Sequence, residues 1–286
     1  MKLVEQPGVV RKHASKLAAR LLVYGFLTAA SALFLLPFYW MIATALKPRQ
    51  LVYRFPPDWL AGDLTLANFR EGWTALPFDR FFINTVFVTI LIVVGTVGSS
   101  SLVGFGLARY RSRIGDVLFA LVLLTMMVPP AATLIPRFVI FSRLGWTNTY
   151  LPIVLPYWFG VPFFIFLFRQ FFRAIPQEYF DAAELDGASP FSLYFRVAVP
   201  MARPAFVTSA LFSMLIAWND FLDPLVYLST LDKFTIQLGL SSFRGQYVAD
   251  LHLMMPMALL AMIPVLLIVA LGQRWIARGL APDLEK

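Results

Sequence analysis

The chain has 286 residues, of which 59% are hydrophobic and only 14% charged, with a mean hydropathy of +0.72. A soluble globular domain carries about 25% charged residues, so this composition excludes one and points to an all-α polytopic membrane protein. The net charge of +8, with no Cys and two widely separated His residues, is explained by basic residues flanking membrane spans rather than by nucleic-acid binding, disulfides or a His-based metal site.

In chain order, residues 1–20 form a basic tail with Lys2, Arg11, Lys12, Lys16 and Arg20. The first uncharged run, 21–46, is too long for a signal-peptide core and reads as a retained spanning helix. Residues 47–80 are polar and broken by Pro48, Pro56 and Pro57. The second span, 82–108, holds Gly95, Gly98, Ser99, Ser100, Ser101, Gly104 and Gly106, small residues that let helices approach closely in lipid. A basic turn follows at Arg109, Arg111 and Arg113. The third and fourth spans are placed at 117–136 and 144–168, each with internal prolines that predict kinks. The fifth is placed at 205–222 and the sixth at 253–273, leaving a short tail at 279–286. The membrane domain thus runs over 21–278.

Six spans put both termini on one side. The larger share of the 24 Lys and Arg residues falls on the two tails, the 109–116 turn and the 169–204 segment, which predicts that these are cytoplasmic.

The segment 175–204 stands apart: a polar island between apolar blocks. Pro176 suits the start of a helix. Glu178, Asp181 and Glu184 recur every three residues, with Asp186 next, while Tyr179, Ala183 and Gly187 recur every four. The pattern predicts a short helix with acids near its N-terminus, where the dipole favours them, and with Gly187 ending it. Ser189–Pro190 predicts a break. A second short helix from Phe191 to about Ala198 leads through Pro200 and Pro204 back to the membrane. By composition alone, the island equally suits an interfacial helix that caps the bundle.

The order Asp181-Ala182-Ala183, then Asp186-Gly187-Ala188, then Phe195, Val197, Pro200 and Pro204, resembles the EAA loop of permease subunits of ATP-binding-cassette importers. It is most similar to the MalG-like permeases of the carbohydrate-uptake branch, with Asp181 standing where that family usually has Glu. The Trp218-Asn219-Asp220 cluster adds to the likeness, whereas the short tail after Gly279 lacks a Gly-rich ending. The resemblance implies six transmembrane helices with a cytoplasmic coupling helix between helices 4 and 5, in the cell (inner) membrane. It implies that Glu178, Asp181, Ala182, Ala183, Asp186, Gly187 and Pro200 serve docking to an ATPase subunit. The implied partners are a second homologous permease, two ATPase subunits, an extracytoplasmic solute-binding protein and a sugar. The chain has no G-x-x-x-x-G-K-[ST] loop, so it is expected to be no enzyme and to hold no cofactor.

A neutral sugar needs amides, hydroxyls and aromatic faces along its path. Asn84, Trp218, Asn219 and Asp220 are candidates, with Tyr157 and Trp158 behind them. The alternative for Asn84 is an interhelical hydrogen bond, and for Trp218 an interfacial anchor. Asp220 is the sharpest candidate, because ionisable groups at membrane depth face a cavity or a partner; its alternative is a surface role in receiving the binding protein. Other readings are a permease of the same architecture for glycerol phosphate or a polyol, and an ion-gradient-driven secondary transporter. Against the latter, no inverted repeat is evident.

Overall fold

The computed structural model describes residues 7–59, 62–110, 112–244 and 250–280, all in helices, turns and loops apart from an isolated bridge. Arg111 of the basic turn and residues 281–286 of the predicted C-terminal tail lie outside this range, as does the beginning of the N-terminal tail. Four helices are long and apolar enough to cross a membrane, and up to six if each of two sharply bent helix pairs counts as one span. The chain divides into two compact units.

The first unit comprises residues up to 71 together with 250–259. Its main element is α1 (Pro7–Leu46). The apolar stretch of α1 has no buried residue in its most hydrophobic window, and Leu22, Phe26 and Phe34 are each about three-quarters exposed. A helix clad this way is soluble only in lipid or against another membrane subunit. The end of α1 is fastened by the following loop. Asn68 donates from Nδ2 to the carbonyls of Ala45 (2.9 Å) and Lys47 (2.7 Å), which the helix itself leaves open. Trp40 and Trp59 meet edge-to-face at 5.0 Å, and Lys47 lies over the Trp40 ring while its ammonium donates to the Asp58 carbonyl.

The second unit comprises 72–249 and the chain from 260 onward. Its spine is α2 (Phe78–Arg109), 32 residues long. The next segments are α3 (Arg113–Thr125) and α4 (Pro130–Arg143), separated by a 97° bend. The single third span expected at 117–136 is therefore two helices. Pro129 and Pro130 cannot give N–H groups to continue α3, and Pro130 instead opens α4. The fourth span starts at Leu151, not at 144, because the chain before it turns through Gly145 and Asn148, both at positive φ. This span is itself interrupted. A helical turn (Leu151–Val154) passes into 3-10 geometry (Leu155–Phe159) before α5 (Pro162–Arg173).

Broken backbone at this depth needs partners for its freed polar groups, and the small-residue stripe of α2 supplies them. The Ser100 hydroxyl accepts from the Val161 N–H at 3.0 Å, and the Ser99 hydroxyl donates to the Tyr157 carbonyl at 3.2 Å. Gly95 lets the Trp158 indole lie directly on the helix: a Cβ there would sit 2.4 Å from the ring. Below the break, Phe105, Phe164, Phe168 and Phe172 form a buried aromatic core between α2 and α5. Phe163 and Phe166 face outward. Arg169, 5% exposed, is held at the α5 end by Asp116 (2.9 Å), the Leu107 carbonyl (3.3 Å) and the Phe119 ring (3.8 Å).

The chain then forms α6 (Gln177–Leu185), a helical stretch over 190–201 containing a π-turn at Leu193–Ala198, and α7 (Arg203–Trp218), bent 80° from that stretch. The last helix, α8 (Leu251–Leu280), contributes residues to both units.

Candidate functional site

The polar island folds into two short helical stretches joined at Gly187, as its Gly and Ser–Pro signals predict, but the Tyr179, Ala183, Gly187 spacing does not mark the buried face. Pro176 stands immediately before the first turn of α6, and Glu178 lies in that turn. Gly187 has φ +80, a left-handed conformation that side-chain-bearing residues adopt at a cost. The Ala188 N–H reaches the Ala183 carbonyl at 2.9 Å and the Gly187 N–H the Glu184 carbonyl at 3.0 Å, which closes the helix end in a Schellman turn. Ser189 then caps the next helix through the Ser192 N–H (3.3 Å), with Pro190 in its first turn. Pro200, lacking an N–H, follows the π-turn, and Pro204 sits in the first turn of α7.

Two faces of this segment differ sharply. Inward, Phe180 (3% exposed) enters the aromatic core beside Phe105, and Leu193, Tyr194 and Ala198 are buried with it. Outward lie Glu178, Asp181, Ala182, Asp186 and Gly187, together with Tyr179 (56% exposed), Leu185 (89%), Phe191 (71%) and Phe195 (61%). The inward aromatic is thus Phe180, while Tyr179 shares the exposed side with acidic residues. Sequence periodicity alone did not single out Leu185 or Phe191. Their signal is that they are large apolar residues inside an otherwise polar island.

A further residue missed in the sequence is Arg109, at the end of α2. Its Nη2 lies 2.7 Å from Glu184 Oε1 and 3.8 Å from Asp181 Oδ1, and its guanidinium lies 5.3 Å from the centre of the Phe180 ring. Asp181 also accepts from Gln177 Nε2 at 2.9 Å.

The pathway candidates do not converge on one open site. Asn84 donates to the carbonyls of Asp232 (2.8 Å) and Phe234 (3.0 Å), tying α2 to a loop. Trp158 Nε1 donates to Leu91 O at 3.1 Å, and the buried Trp218 donates to Ala261 O at 3.0 Å. Trp218 also borders a cavity of about 530 Å³ whose other walls include Phe82, Val86, Leu211, Met214 and Ile268. That lining is apolar and offers a hydroxylated solute almost no hydrogen bonds. The helix α7 ends at Trp218, so Asn219 and Asp220 lie beyond it. Asn219 is exposed, donating to Leu215 O (2.8 Å) and accepting from Gln237 (3.4 Å). Asp220 accepts the Asp223 N–H at 3.3 Å through Oδ1, while its Oδ2 is buried without a hydrogen-bond partner among the described residues. Burial, with the Asp223 charge adding to it, pushes the Asp220 carboxyl up to about 6. Asp223 in turn pairs with Arg137 at 2.9 Å. Arg137 lies within α4.

These features define a multi-pass helical membrane protein with a compact, solvent-exposed polar segment between two apolar helical regions. The chain belongs to the binding-protein-dependent transport system inner membrane component family, which it matches over residues 100–282. It is accordingly a permease component of a binding-protein-dependent transport system, and hydrolysis is not its task. It is 30% identical to the arabinooligosaccharides transport system permease protein AraQ of Bacillus subtilis (strain 168), covering 89% of this chain and 92% of that protein. It is also 30% identical to the sn-glycerol-3-phosphate transport system permease protein UgpE of Pectobacterium atrosepticum, over 88% of this chain and 92% of that one. Among solved structures, a chain of a bacterial ABC transporter involved in the import of the acidic polysaccharide alginate superposes with a TM-score of 0.77 at 20% identity, covering 96% of this chain and 99% of the other. That likeness speaks to the fold.

Proposed function

We propose that this chain is a MalG-like permease forming half of the membrane pathway of an ATP-driven sugar importer, with residues 175–204 as its cytoplasmic coupling loop. In this reading both termini are cytoplasmic, as the distribution of Lys and Arg favours. A second homologous permease completes the pathway, two ATPase subunits bind the coupling loops, and an extracytoplasmic solute-binding protein delivers the sugar. The observation that carries the reading is the α6 turn. Its C-terminal end is closed at Gly187 and its inner face is anchored by Phe180, while acidic and apolar side chains are exposed. An exposed patch of this kind marks a binding surface.

Docked in an ATPase cleft, α6 moves when the ATPase dimer closes on ATP, and the membrane helices follow. Ala182 permits close approach, Asp181 and Glu178 offer charge to a basic group, and Pro200 marks the re-entry toward the membrane. Asn84, Tyr157, Trp158, Trp218, Asn219 and Asp220 remain the proposed pathway residues. Of these, Asn219 and Asp220 best suit polar contact, because one is exposed and the other holds a buried oxygen with no hydrogen-bond partner among the described residues. Sugar transport is supported by the arabino-oligosaccharide relative, whereas the glycerol-phosphate relative supports a second reading, a polyol phosphate as cargo.

The test is co-purification with a nucleotide-hydrolysing subunit and ATP-driven uptake by the full assembly in proteoliposomes. Uptake by this chain alone on an ion gradient would contradict the reading. Ligand screening of the cognate binding protein, with neutral oligosaccharides and with sn-glycerol-3-phosphate, separates the two cargoes.

A further inference from the structure

We infer that Arg109 is the positioning residue that ties motion of α6 to α2, so that the Arg109–Glu184 pair is the drive link between the coupling segment and the membrane spine. The inference rests on the proposed coupling role of α6 and assigns it a route into the membrane.

The packing between α6 and α2 is sparse and asymmetric. Phe180 plugs the aromatic core beside Phe105 at 6.2 Å, an apolar contact without fixed direction. Next to it lies a cavity of about 230 Å³ bordered by Phe105, Arg109, Phe172, Arg173, Pro176 and Phe180. Volume left unfilled there lets α6 shift against α2 without overpacking the core. The directional contact across this gap is the guanidinium of Arg109. Its side chain is only 14% exposed, and it meets Glu184 at 2.7 Å, a charge-assisted hydrogen bond.

Arg109 is also well placed to transmit force. It occupies the last turn of a continuous 32-residue helix, where a cation complements the helix dipole. The distance along α2 from Arg109 to Ile83 is about 39 Å at the usual helical rise. Asp181 stands 3.8 Å from the same guanidinium and is more exposed than Glu184. A basic group of a docking partner that takes Asp181 leaves Arg109 to Glu184 alone.

The experiment uses the full assembly with its ATPase subunits, and ATP with vanadate as the probe. The chain has no native Cys, so an environment-sensitive fluorophore on Ile83→Cys, at an exposed site near the far end of α2, reports on that end specifically. In the otherwise unchanged chain, nucleotide trapping alters the fluorescence. Arg109→Gln and Glu184→Gln are each expected to retain the ATPase subunit and its hydrolysis while losing at least four-fifths of that response. The charge-swapped double variant Arg109→Glu with Glu184→Arg is expected to regain most of it. A response within twofold of the parent in both single variants overturns the inference. So does loss of ATPase binding in Glu184→Gln, which makes Glu184 a docking residue rather than an internal tie. Should Arg109→Gln fail to fold, Glu184→Gln decides, since it leaves Arg109 in place. The underlying coupling role fails separately if Ala182→Trp leaves ATPase binding unchanged.

Discussion

The hydroxyls of Ser101 and Tyr194 lie 2.7 Å apart, buried where the helical stretch over 190–201 packs on the middle of α2's C-terminal half. Ser101 also donates its hydroxyl to the Gly98 carbonyl at 3.0 Å, so it keeps one partner if the other is removed. Tyr194→Phe is therefore expected to cost about 1 kcal/mol, the ordinary net worth of one hydrogen bond. Ser101→Leu forces bulk into the same contact and is expected to cost about 1–3 kcal/mol. Thermal unfolding in a fixed detergent, comparing the two variants, checks both the order and the size.

Gly187 is required for its backbone conformation and not for lack of space. Its φ is +80, and a Cβ built on it meets nothing within 4 Å. Gly187→Asn is expected to be tolerated, because Asn enters the left-handed region readily, whereas a β-branched residue does not. Gly187→Val should lose about 1–2 kcal/mol locally and should release the ATPase subunit on co-purification. Equal binding by the Val and parent chains would show that the turn is dispensable.

Asp220 gives a pH dependence of definite sign. Its carboxyl is raised from 3.8 to about 6, so the folded chain holds an extra proton between those values. The contribution of the protonated form is complete below about 4 and is lost as the pH rises through about 6. Asp220→Asn keeps an oxygen for the Asp223 N–H and carries no charge. It is expected to melt higher than the parent at pH 7, with the difference vanishing near pH 4. A lower melting temperature at pH 7 would mean that the charged form is the stabilised one.

Gly95 carries the weight of Trp158. Any side chain there meets the indole, and Trp158 then loses its bond to Leu91 O. Gly95→Leu is expected to destabilise the second unit by about 1–3 kcal/mol, and Gly95→Ala by less. Tryptophan fluorescence of the variant should shift as the indole moves. An unshifted spectrum with unchanged melting would contradict the close approach.

The helix–turn–helix course of residues 175–204 was legible in the sequence because local chemistry governs it: a Gly at a left-handed turn, a Ser–Pro cap and a short acidic period. The span boundaries were less so. Hydropathy registers Pro129 and Pro130 as apolar enough to continue a run and cannot register the 97° bend they accompany. Leu144–Tyr150 is uncharged yet turns, held by Asn148, whose side chain accepts from Ser229 and Thr230 N–H groups 81 and 82 residues away. Arg109 was visible only as part of a basic turn, since its partner Glu184 lies 75 residues on. Asn84 and Trp218 had the right chemistry for a polar pathway, but only the tertiary structure reveals that their donors already serve the backbone.

The most direct test of the coupling role is site-specific cross-linking in the assembled importer. With no native Cys, this chain carries a single thiol in Ala182→Cys, on the exposed side of α6, or in Ser229→Cys, a control on an exposed loop of the same unit, and each is loaded with reagent before assembly. A bifunctional thiol–amine reagent is expected to join the chain bearing Ala182→Cys to the ATPase subunit, with a yield that changes on ATP binding, and to leave the Ser229→Cys chain unjoined to it. Cross-linking from Ser229→Cys with none from Ala182→Cys would place the ATPase at the other end of the membrane domain and contradict the account.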